Sequence, residues 1–307
     1  MLNIQGCYVA LVTPFNEDFS INYNKLHELI ECHIRWGTSG LVAAGITGEC
    51  ATLTPQERKD VIQFVVEKTA KRTKVLAGVG ASSTNETIEN TQFAKTVGAD
   101  GVMVITPPVV KPSRSGIIAH FAEIDKLNIP FMIYNASIRA GVNISCDIFL
   151  HIAAITKNFV AIKQANGDVD GTSDLIKQLP QNVSVMSGDD SITLPILSIG
   201  GKGVVSTAGN FIPFAFEKMI DLYNAGKVAE ARNIHAGVAS LSKGLLKFGN
   251  PTGVKYVMNA LGFNVGSARM PMTILEDVGK IELDKLLNEA KAYLSADNSM
   301  YSTRKAA

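Results

Sequence analysis

"TPQERKDVIQFVVEKTAKRTKVLAGVG", residues 54–80, is a helix start followed by a strand. Thr54 can cap, Pro55 takes the first helical position, and Glu57 completes a capping box, so a helix is predicted from residue 55. "KVLAGVG" from Lys74 is then a short, nearly continuous apolar run, the pattern of a strand covered on both faces. "STNETIENTQFAKTVGADG" repeats the device, with Ser83 and Glu86 as the box and Gly98 as the stop before the next run, "GVMVIT" from Gly101. Helix and strand alternate.

The same alternation extends in both directions. Apolar runs precede it at "CYVALVT" from Cys7 and "GLVAAG" from Gly40. Further runs follow at "PFMIYN" from Pro130, "FVAIK" from Phe159, "VSVMSG" from Val183 and "GVVSTA" from Gly203. Eight strand–helix units within roughly 220 residues predict an α/β fold, a TIM (β/α)8 barrel. Beyond residue 226 the strand pattern stops. "VAEARNIHAGVASLSKGLLKF", "PTGVKYVMNALGF" and "IELDKLLNEAKAYL" read as helices, giving a barrel over 1–226 and a C-terminal helical appendage over 227–307. The polar end, "SADNSMYSTRKAA" (295–307), is expected to fray.

Composition narrows the function classes. With 307 residues and 46% hydrophobic content the chain can bury a large core, and a net charge of +1 supplies no basic field for nucleic acid. Cysteines at 7, 32, 50 and 146 form no CxxC pair, which suits reduced thiols in the cytoplasm. No apolar run approaches the roughly 18 residues of a membrane span, and no signal core opens the chain, so no membrane role is expected. The five histidines show no metal-ligand spacing, and no metal is expected.

In a TIM barrel the chemistry lies where strands end. Lys163 ends the sixth run, where it either acts as a nucleophile or simply snorkels to water. Burial at that position should depress its pKa below about 10.4. Tyr134 ends the fifth run and can pass protons, or can merely pack with its hydroxyl on a carbonyl. "AGITGEC", holding Ile46, Thr47 and Gly48, allows a tight turn suited to an anion, or a plain loop. Arg139 could fork onto a carboxylate or sit idle at the surface. "GGKGVVSTAGN" near the eighth strand is a weak phosphate-loop candidate, since glycines also serve strand entry. A lysine, a phenol and an anion turn at one mouth suit Schiff-base chemistry on a 2-oxo acid, with aldol cleavage or condensation through an enamine.

From "ALVTPF" through "GITGECATLTPQER", "YNASIRAG", "AIKQANGD" and "SGDD" to "NPTGVK" and "RMPM", the chain resembles the dihydrodipicolinate synthase and N-acetylneuraminate lyase family. These are pyruvate-dependent class I aldolases on a TIM barrel with a helical C-terminal domain. The resemblance implies Lys163 as the imine-forming residue, Tyr134 as the proton-transfer phenol and the Thr47 turn as the carboxylate site. It implies Val205 beside the lysine, Arg139 near a substrate carboxylate, pyruvate and an aldehyde as partners, no cofactor, and a homo-oligomer, a tetramer or dimer. Two positions depart from the pattern. Ile46 stands where synthases carry a relay threonine, and Pro108 and Val109 stand where they carry an interface tyrosine. Pro55 and Arg58 replace the histidines typical of lysine-sensitive synthases, so feedback by lysine is not expected. The leading expectation is therefore a Schiff-base lyase or aldolase whose substrate is unsettled. A true 4-hydroxy-tetrahydrodipicolinate synthase is the alternative, and a weakly catalytic pyruvate-binding protein the third.

Overall fold

The computed structural model describes residues 2–294; the expectation of a frayed 295–307 lies outside them. Strands β1 (Gly6–Ala10), β2 (Gly40–Ala43), β3 (Lys74–Gly78) and β4 (Gly101–Ile105) alternate with helices α1 (Tyr23–Arg35), α2 (Pro55–Thr69), α3 (Thr84–Thr96) and α4 (Arg114–Asp125). After β5 (Phe131–Asn135) come a single turn α5 (Ser137–Ala140) and α6 (Cys146–Ile155). The sequence β6 (Phe159–Gln164), α7 (Val169–Gln178), β7 (Ser184–Ser187), α8 (Thr193–Ser198), β8 (Gly203–Ser206) and α9 (Pro213–Asn224) completes the ring. All eight strands are parallel, and β8 pairs with β1, so the sheet closes into a TIM barrel.

Local signals set the boundaries. At α2 the capping box forms in both directions, Thr54 Oγ1 accepting from the Glu57 amide at 3.2 Å and Glu57 Oε2 from the Thr54 amide at 2.8 Å. Ser83 Oγ accepts from the Glu86 amide at the start of α3, and Gly98 follows its C-cap at φ +86. The glycines of "GGKG" serve strand entry: a Cβ on Gly203 would stand 2.0 Å from the Gly6 carbonyl oxygen. They lie at the strand's N-terminal end, away from the mouth where a phosphate would be needed.

Two apolar layers form because each strand is buried on both faces. Inside the barrel pack Tyr8, Leu76, Met103, Met132, Met186 and Val205, while Val9, Ile133, Ile162 and Val204 point outward under the helices. The outer layer includes a run of near-parallel rings: Phe121–Phe131 (6.1 Å), Phe131–Phe159 (5.6 Å) and Phe159–Phe149 (6.5 Å).

Past residue 226 lie α10 (Val228–Lys247), α11 (Thr252–Ala260), α12 (Asp277–Glu289) and α13 (Lys291–Leu294). The helix expected over 281–294 starts earlier, at Asp277, and is interrupted at Ala290. Trp36, the C-cap of α1, packs in edge-on arrangements with His33, ring centres 5.3 Å apart, and with Phe263, which follows α11, at 6.3 Å. Among the described residues no helix is long and apolar enough to cross a membrane.

Phe131 is fully buried in the middle of the ring run. Phe131→Ala is expected to lower the unfolding free energy by about 3–5 kcal/mol, read from chemical denaturation, because neighbouring rings cannot collapse into the vacated volume.

Candidate active site

Closure of the barrel sets two polar side chains next to each other at one end. Tyr134 pairs with Lys163 across β5 and β6, so both fall on the inward face, while Ile133 and Ile162 face the helices. Lys163 is 5% exposed, and its Nζ lies 4.2 Å from the centre of the Tyr134 ring. That ring face offers a cation partial solvation after water is removed.

Burial pulls the Lys163 ammonium down to about 8. Asp190 and Asp189 oppose that shift, and Arg139 reinforces it. Asp190 Oδ2 is held by the amides of Thr207 at 3.0 Å and Ala208 at 2.8 Å. Burial nevertheless raises its carboxyl to about 6, so near neutral pH it is largely a carboxylate. Burial also pushes the Tyr134 phenol up to about 12, keeping it protonated and able to donate.

Lys163 and Tyr134 open into a cavity of about 220 Å³ whose walls include Ile46, Thr47 and Arg139. Five of the seven residues singled out from sequence therefore share one space. Gly48 and Val205 are not on its wall. Val205 is 1% exposed in the barrel interior, in the same apolar cluster as Tyr134 and Met186. Gly48 shapes the turn from behind: its carbonyl accepts from Thr13 Oγ1 at 2.7 Å, and a Cβ there would stand 2.9 Å from the Leu11 carbonyl oxygen.

Other wall residues were not assigned from sequence. Asp189 and Asn250 lie in "SGDD" and "NPTGVK", motifs of the family resemblance, and Thr207 in the glycine-rich "GGKGVVSTAGN", whereas Leu246 carried no signal. Asn250 Nδ2 donates to Thr47 Oγ1 at 3.0 Å. Leu246 comes from α10, so the helical appendage supplies part of the wall.

Arg139 sits at the rim on α5, a turn not anticipated from sequence and closed by Gly141 at φ +74. Asn135 anchors the segment that follows. Its Nδ2 donates to Asn143 Oδ1 at 2.9 Å and Gln164 Oε1 at 2.7 Å, and its Oδ1 accepts from the Ile144 amide at 3.1 Å.

At the two departures the geometry is informative. Ile46 lines the cavity without a hydroxyl, while Val109 stands 83% exposed at φ +74, an unfavourable conformation for a β-branched residue. Arg58 is folded inward, donating to the carbonyls of Gly78 and Gly80. A larger, more open cavity of about 460 Å³ is lined by Asn16, Asn22 and Asn259, whose side chains are engaged in local hydrogen bonds. Among the described residues no three His, Cys, Asp or Glu side chains converge as a metal site would require.

The model of the dihydrodipicolinate synthetase family matches residues 3–290. A 4-hydroxy-tetrahydrodipicolinate synthase of Methanococcus maripaludis is 41% identical over 286 residues, covering 93% of this chain and 98% of that protein. One from Clostridium perfringens is 41% identical over 284 residues, covering 92% and 97%. Among solved structures, the synthase of Methylacidiphilum fumariolicum superposes with a TM-score of 0.93 at 36% identity, covering 95% of this chain and 98% of that one. The Aquifex aeolicus dihydrodipicolinate synthase gives 0.91 at 38%, covering 95% and 100%. The chain belongs to the dihydrodipicolinate synthetase family.

The electrostatics of the lysine can be checked directly. Labelling of Lys163 by an amine-selective acylating reagent, followed by peptide mass spectrometry, is expected to rise with pH around a midpoint near 8. Asp190→Asn should move that midpoint down, because a carboxylate that stabilises the ammonium is lost, and Arg139→Ala should move it up.

Proposed function

We propose that this member of the dihydrodipicolinate synthetase family is a carbon–carbon bond-forming enzyme that joins pyruvate to an aldehyde through an imine on Lys163. The observation that carries it is a buried amine, brought down to about 8, against the Tyr134 ring at the floor of a cavity of about 220 Å³. A fraction of Lys163 is then the free amine near neutral pH, as nucleophilic attack on a ketone requires.

The chemistry divides among the wall residues. Lys163 Nζ adds to the pyruvate ketone carbon, and the carbinolamine loses water to leave an iminium. Tyr134, protonated at working pH, donates the proton that lets the oxygen leave as water. The Tyr134 phenolate left by that step takes back a methyl proton to give an enamine, with the electron pair drawn toward nitrogen, and the enamine carbon attacks the aldehyde, whose oxygen takes the phenol proton. The Thr47 hydroxyl and its turn hold the pyruvate carboxylate, and Arg139 at the rim meets an acidic group on the second substrate. Water then releases the product and restores the amine.

For the aldehyde, the relatives favour aspartate semialdehyde, hence 4-hydroxy-tetrahydrodipicolinate synthase, over the unsettled substrate of the leading expectation. Names shared by relatives near 40% identity over more than nine-tenths of the chain support it. Arg139 supports it too. Ile46 and the exposed Val109 favour a different, more apolar aldehyde, because neither can pass a proton. A cytoplasmic setting agrees with four free cysteines, and a homo-oligomer with the exposed Val109, Val110 and Ile138.

Borohydride added with pyruvate should leave a three-carbon adduct on the Lys163 peptide and none in Lys163→Ala; an adduct on another lysine would contradict the mechanism. Aspartate semialdehyde should then be turned over at rates ordinary for an enzyme, with Ile46→Thr/Val109→Tyr giving no improvement. If instead the wild type is about 10²–10⁴ slower and the double variant recovers, the synthase assignment fails in favour of another aldehyde.

A further inference from the structure

The turn that carries Thr47 is strained and is held from outside the barrel. Ala44 (φ +51) and Glu49 (φ +62) both occupy the left-handed region, which residues with side chains leave unless their surroundings over-determine them. Thr13 holds the Gly48 carbonyl from the loop after β1, and three further tethers come from α11 and the segments on either side of it. Asn250 Nδ2 donates to Thr47 Oγ1, the Arg269 amide donates to Glu49 Oε2 at 2.9 Å, and Lys255 Nζ stands 2.5 Å from Glu49 Oε1.

The Lys255–Glu49 pair is the deepest of these. Their side chains are 2% and 0% exposed, so water competes for neither. Lys255 Nζ also donates to the Ser267 carbonyl at 3.1 Å and lies 4.1 Å from the centre of the Phe15 ring. Arg269 extends the tie, its guanidinium forking onto Glu57 at the start of α2 and reaching the carbonyls of Thr52 and Phe19. Neither Lys255 nor Glu49 lines the cavity, so neither touches a bound substrate.

We propose that Lys255 and Glu49 form a positioning pair that holds the Thr47 turn in its binding form, which makes the C-terminal helices a working part of the 2-oxo acid site. This rests on the assignment of the Thr47 turn to the pyruvate carboxylate, and the two can fail separately. Removing one partner strands a buried charge, whereas removing both charges with side chains of similar size spares the fold.

The test therefore uses Glu49→Gln/Lys255→Met beside the single variant Lys255→Met in the full chain. Lys255→Met is expected to lose thermal stability, and the double variant to regain most of it. In the ligand-free double variant, amide hydrogen exchange over residues 45–53 should be at least tenfold faster, with β5 unchanged. The pyruvate concentration for half-maximal borohydride trapping on Lys163 should rise about tenfold, while trapping at saturation stays near wild type. A purely structural pair would return both exchange and half-saturation to wild type along with stability, and that result overturns the proposal. Unchanged exchange over 45–53 overturns it regardless of activity. If exchange quickens but the wild type traps no pyruvate, the carboxylate assignment is what has failed, and with it the pair's role in that site.

Discussion

An ammonium group inside a closed barrel is the constraint around which the mouth is organised. Moving a cation out of water costs several kcal/mol unless nearby groups replace its solvation. At Lys163 the replacement is partial by construction. The Tyr134 ring and the carboxylates of Asp190 and Asp189 favour the charged form, while burial and Arg139 disfavour it. The balance leaves an amine that can be either acid or nucleophile within the physiological range. Full compensation would have produced an inert ion pair, and none would have produced an unstable strand. Asp190 is itself restrained by two backbone amides beyond β8, so the field at the lysine depends on an element distant in sequence.

Much of the barrel was legible because parallel strands buried on both faces leave nearly unbroken apolar runs, and because α2 and α3 announce themselves with local caps. Lys163 and Tyr134 were legible for a related reason, since each is a polar residue at the end of such a run. What could not be read depends on contacts between distant segments. Asp189, Asn250 and Leu246 reach the cavity only once α10, the loop after it and the loop after β7 have docked. The single turn α5 is too short to leave any periodicity, although it is what carries Arg139 to the rim.

The two departures from the synthase pattern differ in physical kind. Ile46 replaces a hydroxyl inside the cavity, so it changes what the wall can do to a proton. Val109 sits outside, where its backbone keeps a left-handed conformation that its own side chain disfavours. A backbone retained against side-chain preference points to a loop shape set by its surroundings rather than by residue 109. The departure at 109 is thus one of side-chain reach, and that at 46 one of chemistry.

The position of Trp36 has a spectroscopic consequence. It is the only tryptophan in the chain, half-buried at the end of α1 with one neighbour, His33, from its own helix and another, Phe263, from the segment after α11. Excitation selective for indole therefore reports on the seam between the barrel wall and the appendage, more than 80 residues of chain away from the nearest reacting side chain in sequence. Parting of that seam would admit water to the ring and shift its emission to the red. Intrinsic fluorescence thus reads the docking of the appendage on the wall, where far-ultraviolet dichroism reads only the content of helix and strand.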